Sequence, residues 1–248
     1  MLRRRMNKEQ TLTELLSELN IKLSDQQTSR FMQYYEMLIE TNKVMNLTAI
    51  TDYEEVCIKH FADSLSIVRS YDISGINDIR ILDIGTGAGF PGIPLKIAYP
   101  EIHITLLDSL TKRIRFLDNV IDTLDLNDVG SITTIDMRAE DYVKEEGIRE
   151  SYDLAVSRAV ANLRVLSEYA LPYVRTGGSF ISYKGDNAPE EIAEAENAIS
   201  ILGGEISEVN EFTLPGSDIT RNLINIKKTR PTPDKYPRKA GLPNKKPL

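Results

Sequence analysis

Leu82-Asp83-Ile84-Gly85-Thr86-Gly87-Ala88-Gly89-Phe90-Pro91-Gly92 is the stretch on which the fold turns. From Gly87 it spells G-A-G-F-P-G, a literal GxGxxG of the kind that cradles a dinucleotide pyrophosphate. From Asp83 it spells D-x-G-x-G-x-G, with an acid closing a strand before the glycines begin. Glycines suit either reading, because the backbone must turn sharply and approach a ligand closely. Two residues separate the readings. Pro91 removes a backbone N–H from a loop that should donate to phosphate. Asp83 would repel a pyrophosphate, whereas the methionine end of S-adenosylmethionine carries an ammonium and a sulfonium. The working unit is therefore read as residues 83–90, with the GxGxxG at Gly87 a coincidence of spelling, and the loop leans towards S-adenosylmethionine.

Around this loop, short apolar runs alternate with amphipathic segments. Strands are expected over 79–84, 103–107, 131–135, 152–156 and 178–183, with helices over 93–98, 110–126 and 163–173 between them. Alternation of this kind predicts a parallel sheet covered by helices on both faces. The end breaks the rhythm: a helix over 189–202, a strand over 205–213, the turn Pro215-Gly216-Ser217-Asp218, then a strand over 223–226. A loop that short forces the last two strands to pair antiparallel. Seven strands with the last reversed is the plan of the Rossmann-like, class I S-adenosylmethionine-dependent methyltransferase sheet; a dinucleotide domain normally ends in parallel strands.

Upstream, Leu12, Leu15, Leu16 and Leu19, then Phe31, Tyr34, Tyr35, Leu38 and Ile39, recur at helical spacing, with Ser24 as an N-cap and a third helix over 54–68. The organisation read from this is a helical extension over 1–70, a methyltransferase core over 71–228 and a basic, proline-rich tail over 229–248. Pro231, Pro233, Pro237, Pro243 and Pro247 predict an extended tail, ordered only against a partner.

The chain of 248 residues carries a net charge of −7. From Arg221 to Leu248 nine Lys or Arg face one acid, a local +8 that leaves −15 on the rest. An acidic body with a basic tail binds phosphate locally and resists non-specific contact elsewhere. One cysteine, Cys57, excludes an internal disulfide and a multi-cysteine zinc site. No apolar run reaches membrane-spanning length and no signal-peptide core follows the basic start, so a cytoplasmic location is expected. Met6 reads as an alternative start after an arginine-rich remnant.

Asp108 ends the run Ile104-Thr105-Leu106-Leu107, where a carboxylate can accept both ribose hydroxyls of either cofactor. Arg138-Ala139-Glu140 follows the third strand, where an adenine-binding loop lies; Glu140 could take the adenine amino group or cap a helix. Arg158 follows the fourth strand, at the edge where methyl donor and acceptor meet. No D/N-P-P-aromatic run and no cysteine occurs there, which disfavours methylation of exocyclic amines and of C5 of cytosine. His60 and His103 are too isolated for a metal site. His103 is read as structural, and His60 as helix packing or a residue at the mouth of the site. Asn46 and Thr48 are read as closing the cofactor mouth or as a helix-junction turn.

The chain resembles the bacterial glucose-inhibited division protein B family, ribosomal RNA small subunit methyltransferase G, almost end to end. The resemblance rests on Asn46-Leu47-Thr48, His60-Phe61-Ala62-Asp63-Ser64, the glycine loop, Leu107-Asp108-Ser109 with Lys112-Arg113, and Arg138-Ala139-Glu140. It continues through Ser157-Arg158-Ala159-Val160 and Lys184-Gly185 to Tyr236-Pro237-Arg238-Lys239-Ala240-Gly241-Leu242-Pro243. It implies methylation of N7 of one guanine in the decoding region of 16S ribosomal RNA, with S-adenosylmethionine as cofactor and the RNA or a small-subunit precursor as partner. It also implies cofactor contacts at Gly85, Gly87, Phe90, Ala139, Glu140 and Arg158, which Asp108 joins by the ribose argument. Guanine N7 has a free lone pair and no proton to lose, so no general base is expected. Lys184, Arg221, Arg238 and Lys239 are the candidates for RNA phosphate. The rival readings are a nicotinamide-dependent oxidoreductase, a methyltransferase of the same fold with another RNA or small-molecule acceptor, and a non-catalytic RNA-binding protein.

Overall fold

The computed structural model describes residues 8–76 and 78–248. The question of a start at Met6 lies outside them. Helix α1 (Lys8–Ser17) and α2 (Asp25–Met45) pack their apolar faces into the core through Leu12, Leu16, Phe31, Tyr34 and Leu38. Ser24 caps α2 in a full capping box: its Oγ accepts the Gln27 N–H at 3.2 Å and the Gln27 side chain accepts the Ser24 N–H at 2.8 Å. The third helical stretch is broken where one helix was expected. It runs as α3 (Tyr53–Val56), a π-helical turn (Cys57–Ala62), α4 (Asp63–Leu65) and a 3₁₀ turn (Ser66–Arg69). The Ser64 and Ser66 hydroxyls donate back to the carbonyls of His60 and Asp63, a local competition that bends a helix.

The alternating half follows as β1 (Arg80–Ile84), α5 (Gly92–Ala98), β2 (His103–Asp108), α6 (Thr111–Thr123), β3 (Ser131–Asp136), α7 (Ala139–Tyr142), β4 (Tyr152–Arg158), α8 (Leu163–Ala170) and β5 (Val174–Lys184). Helix α9 (Ala188–Ile201), β6 (Gly204–Thr213) and β7 (Thr220–Lys228) complete the sheet. The strand order is β3-β2-β1-β4-β5-β7-β6. The first five strands are parallel, and β7 inserts antiparallel between β5 and β6. The order reverses between β1 and β4, and the carboxyl ends there form the crevice where open α/β sheets bind ligands. Strand β5 begins at Val174, earlier than expected, because Val174 pairs with Tyr152 across a register shift that carries the Gly177-Gly178 pair within the strand.

Strand alternation distributes the core. Ile81 faces the cluster built by the N-terminal helices, α5 and α6, while Leu82 and Ile84 face α8 and α9. The N-terminal helices thus share one continuous core with the sheet. Among the described residues no helix is long and apolar enough to cross a membrane.

The tail departs from expectation. It folds on its own chain: Arg149 donates to the carbonyls of Tyr236 and Thr232, both at 2.8 Å, and Glu150 accepts the Thr232 N–H at 2.7 Å. It even forms a short helix, α10 (Leu242–Lys245), because Pro243 falls in the first turn, where a missing N–H costs nothing.

Candidate active site

Asp83 is fully buried at the end of β1 and acts on the loop from within. Its Oδ2 accepts the Thr86 hydroxyl at 2.6 Å and the Gly92 N–H at 2.9 Å, tying both ends of the glycine loop to one carboxylate. Oδ1 is buried without a hydrogen-bond partner among the described residues. Burial pushes the carboxyl up to about 7, against the lowering effect of those two hydrogen bonds. The loop unit extends further than residues 83–90. A Cβ on Gly92 would collide with Leu106 Cδ2 and lie 2.8 Å from Asp83 Oδ2, so the last glycine of the apparent GxGxxG is a packing requirement and no coincidence of spelling.

Above the loop lies a cavity of about 470 Å³, within the range of small-ligand sites. Gly85, Asp108, Ala139 and Glu140 share its wall, so four of the seven expected cofactor residues converge from the ends of β1, β2 and β3. Gly87 contributes from behind: its N–H donates to Asp108 Oδ2 at 3.0 Å. Asp108 also accepts from Leu110 N and from Arg113 Nη1, at 3.0 and 3.1 Å. Three donors leave this carboxylate about one free acceptor position of roughly four. Glu140 is likewise engaged, since its Oε1 accepts the Gly241 N–H at 2.9 Å. The carboxylate expected to await an adenine amino group therefore holds the tail.

A second cavity, of about 680 Å³, meets the first at Ala159 and Val160. Val160 crosses between them directly over Gly85: a Cβ on that glycine would lie 2.6 Å from Val160 Cγ2. Arg158 lines the second cavity and is held from several sides. Its Nη1 donates to Asp63 Oδ2 at 2.9 Å and to the Lys59 carbonyl at 3.0 Å, and its guanidinium lies 5.0 Å above the Phe90 ring. Arg221 Nε reaches the other oxygen of Asp63 at 3.2 Å. The Phe90 side chain is buried beneath this group, stacked on His60 with ring centroids 4.4 Å apart, and is off the wall of the first cavity. His60 lies in the π-helical turn, a distortion frequent at functional sites, and its Nε2 is 2.9 Å from the Thr48 hydroxyl. Burial, then Arg158, lowers the imidazole to about 3, so it is neutral at physiological pH. His60 is thus a cavity residue as well as a packing one. Thr48 buttresses it, and Asn46 ends α2 in a left-handed turn. His103 is structural, with Nδ1 2.8 Å from the Ser131 hydroxyl.

The four expected phosphate-binding cations fare differently. Lys184 pairs with Glu191 at 2.7 Å and donates to the Ala161 carbonyl, Arg221 pairs with Asp63, and Arg238 forms a two-pronged pair with the buried Glu168. Each satisfies a carboxylate of its own chain. Lys239 alone of the four is exposed. Glu168, which holds Arg238, drew no notice in the sequence, and Asp63, which holds Arg221, stood there only within the His60–Ser64 stretch and with no role of its own. A buried carboxylate with a distant arginine partner leaves no local pattern.

The model of the GidB family, rRNA small subunit methyltransferase G, matches residues 27–224. The chain belongs to this family of methyltransferases. It is 51% identical over 237 residues to a ribosomal RNA small subunit methyltransferase G of Acetivibrio thermocellus, covering 96% of this chain and 95% of that one. It is 49% identical over 243 residues to the protein of the same name from Alkaliphilus metalliredigens, covering 98% and 100%. Among solved structures, a 16S rRNA (adenine(1408)-N(1))-methyltransferase variant from Catenulisporales acidiphilia superposes with a TM-score of 0.51 at 13% identity, over 63% of this chain and 88% of that one. A precorrin-6y C5,15-methyltransferase from Geobacter metallireducens gives 0.50 at 13%, over 75% and 93%. At such identities these two establish the shared class I methyltransferase fold.

Proposed function

We propose that this protein transfers the methyl group of S-adenosylmethionine to N7 of a guanine in the decoding region of 16S ribosomal RNA, with the RNA or a small-subunit precursor as partner. The observation that carries this reading is the pair of cavities joined over Gly85 at Val160, one lined by Asp108, Ala139 and Glu140 and one by His60, Asp63 and Arg158; we read the first as the nucleoside side and the second as the acceptor side.

The residues present fit the cofactor. Asp108 keeps an acceptor position for a ribose hydroxyl, and Ala139 and Glu140 stand where the base would lie. When bound, S-adenosylmethionine supplies an electrophilic methyl on a sulfonium.

What the protein adds is positioning and electrostatics. Guanine N7 needs no base, and the product ring is cationic. A free cation beside that ring would oppose the reaction. Asp63 lies 2.9 Å from Arg158 and also pairs with Arg221, so one carboxylate offsets part of the charge of two guanidinium groups, and His60 is held neutral by burial and by Arg158 itself. The acceptor cavity thus presents hydrogen-bond donors whose positive charge Asp63 partly offsets.

The test is labelled methyl transfer to small subunits lacking the modification, followed by nucleoside mass spectrometry. The expected product is 7-methylguanosine. A methyl on any other atom, or on no RNA, overturns the reading.

A further inference from the structure

The C-terminal segment packs against the nucleoside cavity, and one of its side chains enters the wall. Glu168 of α8 is 1% exposed, and an ionised carboxylate so placed is costly unless fully satisfied. Among the described residues its hydrogen bonds all come from Arg238: the backbone N–H at 2.8 Å, Nε at 2.9 Å and Nη2 at 2.6 Å. Three residues on, the Gly241 N–H donates to Glu140 at 2.9 Å, and Gly241 then starts α10. One turn along that helix, Asn244 lines the same cavity as Asp108, Ala139 and Glu140. Through Gly241 the segment that carries Asn244 is bonded directly to Glu140, on the same cavity wall.

We propose that Asn244 binds the adenine of the cofactor, and that Arg238 and Gly241 are positioning residues that latch its segment onto Glu168 and Glu140. The inference rests on the cavity being the cofactor site. A carboxamide offers one acceptor and one donor side by side. That matches the amino group and N7 of adenine and mismatches hypoxanthine, whose O6 and N7 are both acceptors. The tail of this chain is then a piece of the cofactor site, with Arg238 spent on the buried carboxylate of Glu168.

The experiment titrates the full chain with S-adenosylhomocysteine and with its hypoxanthine counterpart, S-inosylhomocysteine, by calorimetry. The native protein is expected to prefer the adenine ligand by about tenfold or more. Asn244→Ala is expected to lose about tenfold in affinity for the adenine ligand, to narrow the preference, and to keep its melting temperature. Arg238→Ala combined with Glu168→Gln, which leaves no unpaired buried charge, is expected to reproduce the loss, and Arg238→Lys to restore part of it. An Asn244→Ala protein with native affinity and preference overturns the inference, as does an equal loss for both ligands with a lowered melting temperature. A native protein that binds neither ligand overturns the cofactor reading itself, and this inference with it.

Discussion

One oxygen of Asp83 accepts the backbone N–H of Gly92 at 2.9 Å, and a side chain on Gly92 would press on that same oxygen. The strand that carries the acid and the helix that follows the loop are therefore joined at contact distance, and the loop between them has no freedom to adjust. Gly92→Ala is expected to cost about 1–3 kcal/mol through overpacking against Leu106 and Asp83. It should also weaken S-adenosylhomocysteine binding. Urea denaturation and calorimetry read the two effects, and a variant native in both would sink this account of the glycine.

Asp83 also makes stability depend on pH. Its folded carboxyl titrates near 7 instead of near 3.8, so between those values the folded state holds a proton that the unfolded state has lost. Its contribution is full below about pH 4 and falls as pH rises through 7, by on the order of 4 kcal/mol. Asp83→Asn, which keeps an acceptor for Thr86 and Gly92 but cannot ionise, is expected to flatten that decline. The measurement is the difference between native and variant unfolding free energies from pH 4 to 8, and a constant difference would contradict it.

His60 acts in the opposite sense. Its folded imidazole is lowered to about 3 from 6.5, so the unfolded state binds the extra proton between those values. Stability from this residue is present above about pH 6.5 and is lost as pH falls towards 3. A His60→Gln protein is expected to resist acid better relative to its own stability at pH 7, as read by thermal melts at matched ionic strength.

Asp63 binds Arg158 and Arg221 with separate oxygens while remaining buried. Asp63→Asn is expected to destabilise by about 3–5 kcal/mol, as for breaking a buried pair from one side. It should also slow methyl transfer more than it weakens cofactor binding, because Arg158 then faces the cationic product uncompensated. Arg221→Ala, which leaves the Asp63–Arg158 pair, should retain most turnover. Single-turnover rates with saturating cofactor separate the two variants, and equal losses in both would contradict the assigned roles.

Salt dependence distinguishes exposed from committed cations. Lys239→Ala is expected to lower the slope of log affinity for RNA against log salt by about 0.7–0.9, the value for one phosphate contact. Arg238→Ala should leave the slope nearly unchanged and instead lower the melting temperature. A larger slope change for Arg238 than for Lys239 would reverse the assignment.

The alternation of apolar runs, the turn at Pro215-Gly216 and the glycine loop by themselves determined the seven-stranded α/β sheet with its reversed last strand. They did so because periodicity, loop length and turn chemistry are local. Asp108, Gly85, Ala139 and Glu140 were legible for the same reason, each following directly on a strand end. Only the tertiary structure decided what the charges do. Arg158 and Arg221 meet Asp63 from about 95 and 158 residues away, and Arg238 meets Glu168 across 70. No composition or spacing encodes such pairs, since burying a carboxylate at one place in the chain creates the demand for a cation at another. The same holds for the π-helical turn at His60 and for the tail, whose prolines predicted an extended arm until Arg149, Glu150, Glu168 and Glu140 supplied its partners.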